Sequence, residues 1–288
     1  MLDFWFETAA RAAACAFLFG LLAGSFLNVV ILRLPRRLEW DWRRQAREML
    51  ELPEQYDPAP PGIVVERSAC PKCGHKLAPW ENIPLLSFLI LRGRCRGCGT
   101  AISWQYPFVE LLTGVLFAAC VLRFGANPEA LAAMVFTGLL IALAGIDLRT
   151  TLLPDALTYI LLWLGLLLSM MTMFVGPVQA IQGAAVGYLS LWSVYWLFKL
   201  LTGKEGMGHG DFKLLAALGA WCGLAGILPI VLISAVAGAV IGGAWLALRG
   251  RERATPIPYG PFLAIAGWIQ LMWGEQLLKA WRAWAGLG

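Results

Sequence analysis

The sequence predicts an all-α polytopic membrane protein with about eight transmembrane helices, the first two separated by a long polar segment. Hydrophobic residues make up 59% of the 288 residues and charged residues only 14%, whereas soluble domains carry roughly 25% charged residues. Apolar runs of about 17 to 25 residues, long enough to cross a bilayer as helices, recur along the chain. The polar segment is the one long interruption of this pattern.

The first predicted span runs from about Ala10 to Leu32. It contains Gly20, Gly24 and Ser25, small residues that permit close helix contacts. Asn28, near its end, is a candidate buried polar residue. No small-residue cleavage site followed by polar sequence is apparent, so we expect a retained helix. The later predicted spans are about Gln105–Leu122, Glu129–Ile146, Leu153–Val175, Pro177–Leu200, Phe212–Leu228, Pro229–Leu248 and Tyr259–Trp281.

The polar segment, 33–104, is the only substantial stretch expected outside the membrane. Its part 39–52 has the pattern of an amphipathic helix, with Trp40 and Trp42 available to rest on the membrane surface. The two boundaries of the segment divide the chain into three parts: 1–32, 33–104 and 105–288.

Lysines and arginines predict the orientation. If the polar segment is cytoplasmic, nineteen of the 23 basic residues lie on the cytoplasmic side, as the positive-inside rule requires. Both chain ends then lie outside the cytoplasm, in the periplasm if the cell is Gram-negative. Asp147 and Asp211 both fall at cytoplasmic ends of helices.

Asp211 lies at the entry to an apolar helix, after Gly206, Gly208 and Gly210. These glycines permit backbone conformations that a Cβ would forbid, so we expect a flexible or tightly turned entry. A carboxylate at a membrane boundary is costly unless it is used or paired, which makes it a functional candidate. The competing interpretation is a helix N-cap, where Asp is favoured.

Asp147 closes the apolar run that ends at Ile146. The competing interpretation is a solvated helix end, paired with Arg149. Asp155 follows Pro154 at the start of the next helix, and we interpret it as structural because an early acidic residue suits the helix dipole.

Asp147 and Asp211 lie at the same predicted depth on different helices, so their side chains can face one another. Peptide hydrolysis needs a base that activates water and an acid that polarises the carbonyl. Two carboxyls that share one proton supply both, because repulsion keeps one protonated while the other is ionised. Such a pair needs no metal.

Four of the seven cysteines form two Cys-x-x-Cys pairs in the polar segment. Four thiolates in this arrangement match a closed, structural, tetrahedral zinc site, which gives the predicted fold a cytoplasmic zinc-binding segment between the first and second helices. The competing interpretations are reduced pairs without metal or a disulfide set, and a cytoplasmic location argues against disulfides. His75 is a possible alternative ligand. The four cysteines are Cys70, Cys73, Cys95 and Cys98.

The chain resembles the type IV prepilin peptidases of pilus-assembly and type II secretion systems. The residues that carry the resemblance extend over nearly the whole chain: Gly24-Ser-Phe-Leu-Asn-Val-Val30, Arg33-Leu-Pro35, Ser68-Ala-Cys-Pro-Lys-Cys-Gly-His75, Glu81-Asn-Ile-Pro-Leu-Leu-Ser87, Arg92-Gly-Arg-Cys-Arg-Gly-Cys98, Tyr106-Pro107, Glu110-Leu111, Asp147, Pro154-Asp155, Gly208-His-Gly-Asp211 and Tyr259-Gly-Pro261.

The resemblance implies a bacterial inner-membrane aspartyl protease of the Gly-x-Gly-Asp type, with Asp147 and Asp211 as its catalytic pair. Its substrates are type IV prepilins or pseudopilins, whose short basic leader is cleaved after a glycine on the cytoplasmic side. His209 fills the variable place of the motif and is interpreted as incidental. Membrane lipid is the other expected contact, no nucleic-acid partner is expected, and the sequence does not predict an oligomeric state.

The resemblance also implies a second activity for the polar segment, N-methylation of the new amino terminus with S-adenosylmethionine. Cleavage converts an amide nitrogen into an amine of pKa about 8, which is a far better nucleophile. The resemblance points to Gly93 as a methylation residue, with Glu81 and Glu110 as candidates to hold the substrate amine or the cofactor. The competing interpretations are a turn glycine, a surface acid and a helix-start acid.

Two alternatives remain open on the sequence alone. One is a peptidase without methyltransferase activity, in which the zinc segment is structural. The other is a transporter or assembly scaffold, in which the membrane aspartates bind cations or partners.

Overall fold

The computed structural model describes residues 9–53, 57–244 and 258–284. The regular secondary structure of these residues is helical, with no strand beyond two isolated bridges, which confirms the all-α class. The chain forms two compact units, one up to Ala142 and one from Leu143. The predicted periplasmic chain ends include residues 1–8 and 285–288, and these lie outside the described residues.

We number the helices in chain order: α1 Ala9–Met49, α2 Leu86–Ile90, α3 Gln105–Phe124, α4 Pro128–Thr150, α5 Asp155–Ser169, α6 Pro177–Thr202, α7 His209–Cys222, α8 Leu224–Ala237 and α9 Gly260–Trp284. From α3 to α8 the helices follow one another with short connections. A 3₁₀ turn, Pro79–Asn82, precedes α2, and a π-helical turn, Gly238–Gly242, extends α8.

Helix α1 continues without a break to Met49, past Leu32, where the first membrane span is predicted to end. Pro35 lies inside the helix, although proline removes one backbone hydrogen bond. Side chains of the extension donate to backbone carbonyls of the following segment. Arg33 reaches the carbonyl of Gly62, at 2.5 Å, and Trp40 Nε1 reaches that of Asp57, at 2.9 Å. The predicted amphipathic stretch is therefore the end of α1.

Glycines bring α1 and α3 into backbone contact in the first unit. A Cβ added at Gly20 would lie 2.7 Å from the Cα of Gly114, and one at Gly24 would lie 2.7 Å from the Cα of Glu110. The predicted role of these small residues in close packing is confirmed. Asn28 is 1% exposed, and its side-chain amide donates to the Tyr106 carbonyl, at 3.1 Å. The buried polar prediction is confirmed as well.

Helix α7 forms the centre of the second unit, where α5, α6, α8 and α9 pack around it. Its side chains from Phe212 to Trp221 are buried apart from Lys213, which is partly buried. Gly183 of α6 and Gly219 of α7 pack backbone to backbone, since a Cβ on either would overlap the other's carbonyl. A helix enclosed in this way places its first turn, which contains Asp211, inside the unit.

The predicted boundary between Leu228 and Pro229 is wrong. The chain turns at Gly223, whose φ of 70° is accessible to glycine and costly for other residues. Pro229 lies within α8 instead. The predicted span that begins at Pro229 ends at Leu248, outside the described residues.

Five helices of the described residues are long and apolar enough to cross a membrane: Ala9–Met49, Gln105–Phe124, Pro128–Thr150, Pro177–Thr202 and Leu224–Ile241. The predicted total of eight is not confirmed, because α5 and α7 have only 15 and 14 residues and α9 ends in a polar stretch.

Candidate active site and metal centre

Asp147 lies in the last turn of α4 and is 5% exposed. Its Oδ2 accepts a hydrogen bond from the backbone N–H of Gly260, at 2.9 Å, across 113 positions of sequence. The carboxylate is thus buried and oriented by the start of α9. The alternative of a solvated helix end is wrong.

Asp211 lies in the first turn of α7 and is 7% exposed. The backbone N–H of Asp211 donates to the Gly208 carbonyl, at 3.2 Å, and Asp147 lies close enough for its charge to act on the Asp211 carboxylate. The structure therefore brings the two predicted aspartates into one buried site within the second unit. Gly208 is the N-cap residue, so the interpretation of Asp211 as the N-cap is wrong.

Leu153 packs between Gly210, which precedes Asp211 in the chain, and Gly260, whose N–H donates to Asp147. A Cβ on Gly210 would lie 2.8 Å from Leu153 Cβ, and a Cβ on Gly260 would lie 3.1 Å from Leu153 Cδ2 and 2.7 Å from Asp147 Oδ2. A side chain at Gly210 would collide with Leu153, and one at Gly260 would collide with Leu153 and Asp147. The expectation that Gly206, Gly208 and Gly210 adopt special backbone conformations is wrong, since none of the three has a positive φ.

Two further polar contacts lie near the two aspartates. Asp155 begins α5, and its two carboxylate oxygens accept from Lys213 Nζ at 2.7 and 2.8 Å. The Tyr259 and Ser234 hydroxyls share a hydrogen bond of 2.7 Å, and Asp211 acts electrostatically on Tyr259. Sequence reasoning assigned no role to Tyr259 or Gly260, although the Tyr-Gly-Pro motif was the signal that pointed to them.

His209, in the variable place of the motif, packs on aromatic rings. Its ring centroid lies 5.1 Å from that of Tyr195 and 5.4 Å from that of Phe212. These contacts give it a packing role.

The four cysteines of the polar segment converge in the first unit. All four Sγ atoms lie within 4.8 Å of one another, and Cys70–Cys98 and Cys73–Cys95 are each separated by 3.9 Å. A tetrahedron of sulfurs about 2.3 Å from zinc has edges of about 3.8 Å. The cluster therefore fits a zinc ion, and its cysteines are not joined by disulfides.

Each Cys-x-x-Cys pair lies on the same kind of tight turn. Gly74 N–H donates to the Cys70 carbonyl, at 2.9 Å, and Gly99 N–H donates to the Cys95 carbonyl, at 2.8 Å. Gly74 and Gly99 have φ of 73° and 70° with no neighbour within 4 Å of an added Cβ, so here the conformation requires glycine. The Thr100 hydroxyl and backbone N–H lower the pKa of the Cys98 thiol to about 6, whereas desolvation and hydrogen bonds with the other cysteines raise the pKa of the Cys73 thiol to about 11.

Glu81 is 5% exposed, so the interpretation as a surface acid is wrong. Its Oε2 accepts from Ala78 N–H, at 2.7 Å, and lies 3.1 Å from His75 Nε2. The Ala78 N–H, followed by His75, lowers the pKa of Glu81. Its Oε1 is buried and has no partner among the described residues.

Glu110 is 7% exposed and lies in the second turn of α3, beyond the helix start. Its Oε2 accepts from Leu85 N–H, at 2.9 Å, which ties the start of α2 to α3. Gly93 follows α2 with φ of 66°, and an added Cβ would lie 3.1 Å from the Phe88 ring. A side chain at position 93 would therefore strain the backbone and crowd the Phe88 ring, as expected for a turn glycine.

Comparisons with known proteins identify the family. Sequence models match for the bacterial peptidase A24 N-terminal domain over residues 18–124 and for the type IV leader peptidase family over residues 134–243. A prepilin leader peptidase/N-methyltransferase of Xanthomonas campestris pv. campestris is 63% identical over 93% of each chain. Proteins with the same name from Pseudomonas aeruginosa and Aeromonas hydrophila are 50% and 52% identical, over 99% and 91% of each chain. No solved structure matches. The chain belongs to the type IV leader peptidase family.

Proposed function

We propose that this protein cleaves the basic leader from type IV prepilins and pseudopilins and then N-methylates the new amino terminus. Relatives at 50 to 63% identity over nearly the full length bear the name of this dual enzyme. The observation that carries the proteolytic half is the pair of buried carboxylates, Asp147 and Asp211, in one site.

In the proposed peptidase reaction the two aspartates divide the work of general acid and general base. Two carboxyls close enough to repel each other hold a single proton between them. The ionised one removes a proton from water, which attacks the carbonyl of the leader's last glycine while the protonated one donates to the carbonyl oxygen. The carboxyl that accepted the water proton then protonates the leaving nitrogen as the C–N bond breaks. The other carboxylate takes back a hydroxyl proton from the tetrahedral intermediate, which leaves the new carboxylic acid and restores the shared proton. The backbone N–H of Gly260 holds the Asp147 carboxylate in place.

The polar segment carries the proposed methylation. Cys70, Cys73, Cys95 and Cys98 hold a zinc ion whose bonds stabilise a segment with little core of its own. S-adenosylmethionine supplies the methyl group when bound. Glu81 offers a buried carboxylate oxygen without a partner for the substrate amine or the cofactor, Glu110 anchors α2, and Gly93 ends the turn that follows it.

The location follows from the sequence pattern. We place the protein in the bacterial inner membrane, with the aspartates and the zinc segment at the cytoplasmic side and both ends in the periplasm. The functional parts are residues 1–32 as the first span, 33–104 as the methylation segment and 105–288 as the peptidase. In this arrangement α5, α7 and α9 complete eight spans. Membrane lipid surrounds the protein, and no nucleic acid takes part.

The decisive experiment incubates the purified protein in detergent with a synthetic prepilin and measures product masses with and without S-adenosylmethionine. We expect cleavage in both cases and one added methyl group only with the donor. Cleavage without methylation under both conditions indicates a peptidase alone.

Substitution of the aspartates tests the mechanism. Asp147→Asn or Asp211→Asn should lower the cleavage rate by at least about 10²- to 10⁴-fold, the usual contribution of general acid–base catalysis. Methylation of a substrate that has already been cleaved should persist. Retained cleavage by either variant would exclude the aspartyl mechanism, and a protein that binds cations but cleaves no prepilin would be a transporter or scaffold.

A further inference from the structure

The Asp155–Lys213 ion pair lies beside the aspartate site, and the proposed reaction does not use it. Lys213 Nζ lies 2.7 and 2.8 Å from the two oxygens of Asp155. The ammonium group also lies 5.5 Å from the centre of the Tyr159 ring, one helical turn after Asp155. Contacts on two sides hold the ammonium group in one position, which a single exposed ion pair seldom does.

The pair connects the two chain segments that carry the catalytic candidates. Lys213 follows Asp211 by two residues on α7, so at 3.6 residues per turn the two side chains leave the helix on opposite sides. Asp155 follows the short connection from the α4 end that carries Asp147. The ion pair therefore holds the first turn of α7 from the side opposite to Asp211.

The connection between Asp147 and Asp155 is itself restrained. Thr151 N–H donates to the Asp147 carbonyl, at 2.8 Å, and Leu153 packs on Gly210 and Gly260. A shift of Asp155 is thus transmitted through Leu153 to the residues adjoining both aspartates.

We propose that Asp155 and Lys213 are positioning residues for peptide cleavage, because their ion pair holds the Asp211 carboxylate at its working position relative to Asp147. This inference rests on the proposed aspartyl peptidase function. It gives Asp155 a role beyond starting α5 and assigns Lys213 a role that the motif did not indicate.

The test measures kcat and KM for prepilin cleavage by Asp155→Asn, Lys213→Met, Lys213→Arg and the exchange Asp155→Lys with Lys213→Asp. Lys204→Met is the matched control, since Lys204 is exposed and makes no ion pair among the described residues of the same unit. The melting temperature and the methylation of cleaved substrate are measured for each variant, so that loss of fold is recognised.

We expect each of the two neutral variants to lower kcat about three- to tenfold with little change in KM, since an exposed ion pair contributes a few-fold and small misplacements are costly to catalysis. Lys213→Arg and the charge exchange should recover most of the loss, and Lys204→Met should match the wild type.

Two outcomes overturn the inference alone: wild-type kcat in both neutral variants, or a loss that Lys213→Arg does not recover in a protein of unchanged melting temperature. If the exchanged protein does not fold, the comparison of Lys213→Met with Lys213→Arg decides the question. Wild-type protein that cleaves no prepilin, or Asp211→Asn protein that cleaves normally, overturns the proposed function and this inference with it.

Discussion

Replacement of Gly260 by alanine should damage cleavage by displacing one carboxylate. The Gly260 N–H donates to Asp147 Oδ2 at 2.9 Å, and an added Cβ would lie 2.7 Å from the same oxygen. The added methyl group would therefore push against the Asp147 carboxylate, which the Gly260 N–H orients.

The size of the effect follows from the contact distance. Ordinary van der Waals contact begins at 3.4 Å, so the Asp147 oxygen must retreat by about 0.7 Å or the start of α9 must move. Leu153, 3.1 Å from the added atom, limits movement in its own direction. Since a misplacement of about 1 Å in a catalytic site can cost roughly 100-fold, we expect kcat for cleavage to fall about 10- to 100-fold.

The assay follows prepilin cleavage in detergent and, separately, methylation of a substrate that already has a free amino terminus. Gly260→Ala should lose cleavage and keep methylation. Gly243→Ala is the matched control, because Gly243 is helical and no atom of the described residues lies within 4 Å of an added Cβ. Wild-type cleavage by Gly260→Ala would refute the assignment of Asp147 as a residue that must be held in place.

Two further predictions concern the first unit. Cys95→Ser should reduce bound zinc and impair methylation more than cleavage, because the binding energy of the metal contributes to the folding of this small segment. Metal analysis and the two activity assays measure these effects. Purified wild-type protein without zinc would contradict the prediction. Gly24→Ala should lower stability by about 1–3 kcal/mol, because its Cβ would meet the Glu110 backbone at 2.7 Å and force α1 and α3 apart. Thermal unfolding in detergent measures the change, and an unchanged melting temperature would argue against this close contact.

Local sequence patterns identified the aspartate pair and the cysteine cluster, for different reasons. The Cys-x-x-Cys spacing places both sulfurs of each pair on one short turn. Only the approach of the two turns to each other depends on the tertiary structure. Asp147 and Asp211 were singled out because a carboxylate is costly at the edge of an apolar span. Their approach depends on the packing of α7, which a linear pattern does not contain.

Glycine and proline were the least reliable signals. Pro35 and Pro229 lie inside helices, although each removes one backbone hydrogen bond. Gly223 ends a helix through its positive φ, whereas Gly210 and Gly260 are required because Leu153 and Asp147 occupy the space of a side chain. The same residue type serves conformation at one position and packing at another, and only the neighbouring atoms distinguish the two.

By itself, the sequence determined the membrane class, the helical content, the two aspartates and the four cysteines, because hydropathy, spacing and residue chemistry are local properties. The tertiary structure alone decided which groups contact the acidic side chains: Gly260 donates to Asp147, Lys213 to Asp155 and Leu85 to Glu110. These partners lie 113, 58 and 25 positions apart. Such contacts depend on how whole helices pack, and no local pattern encodes that.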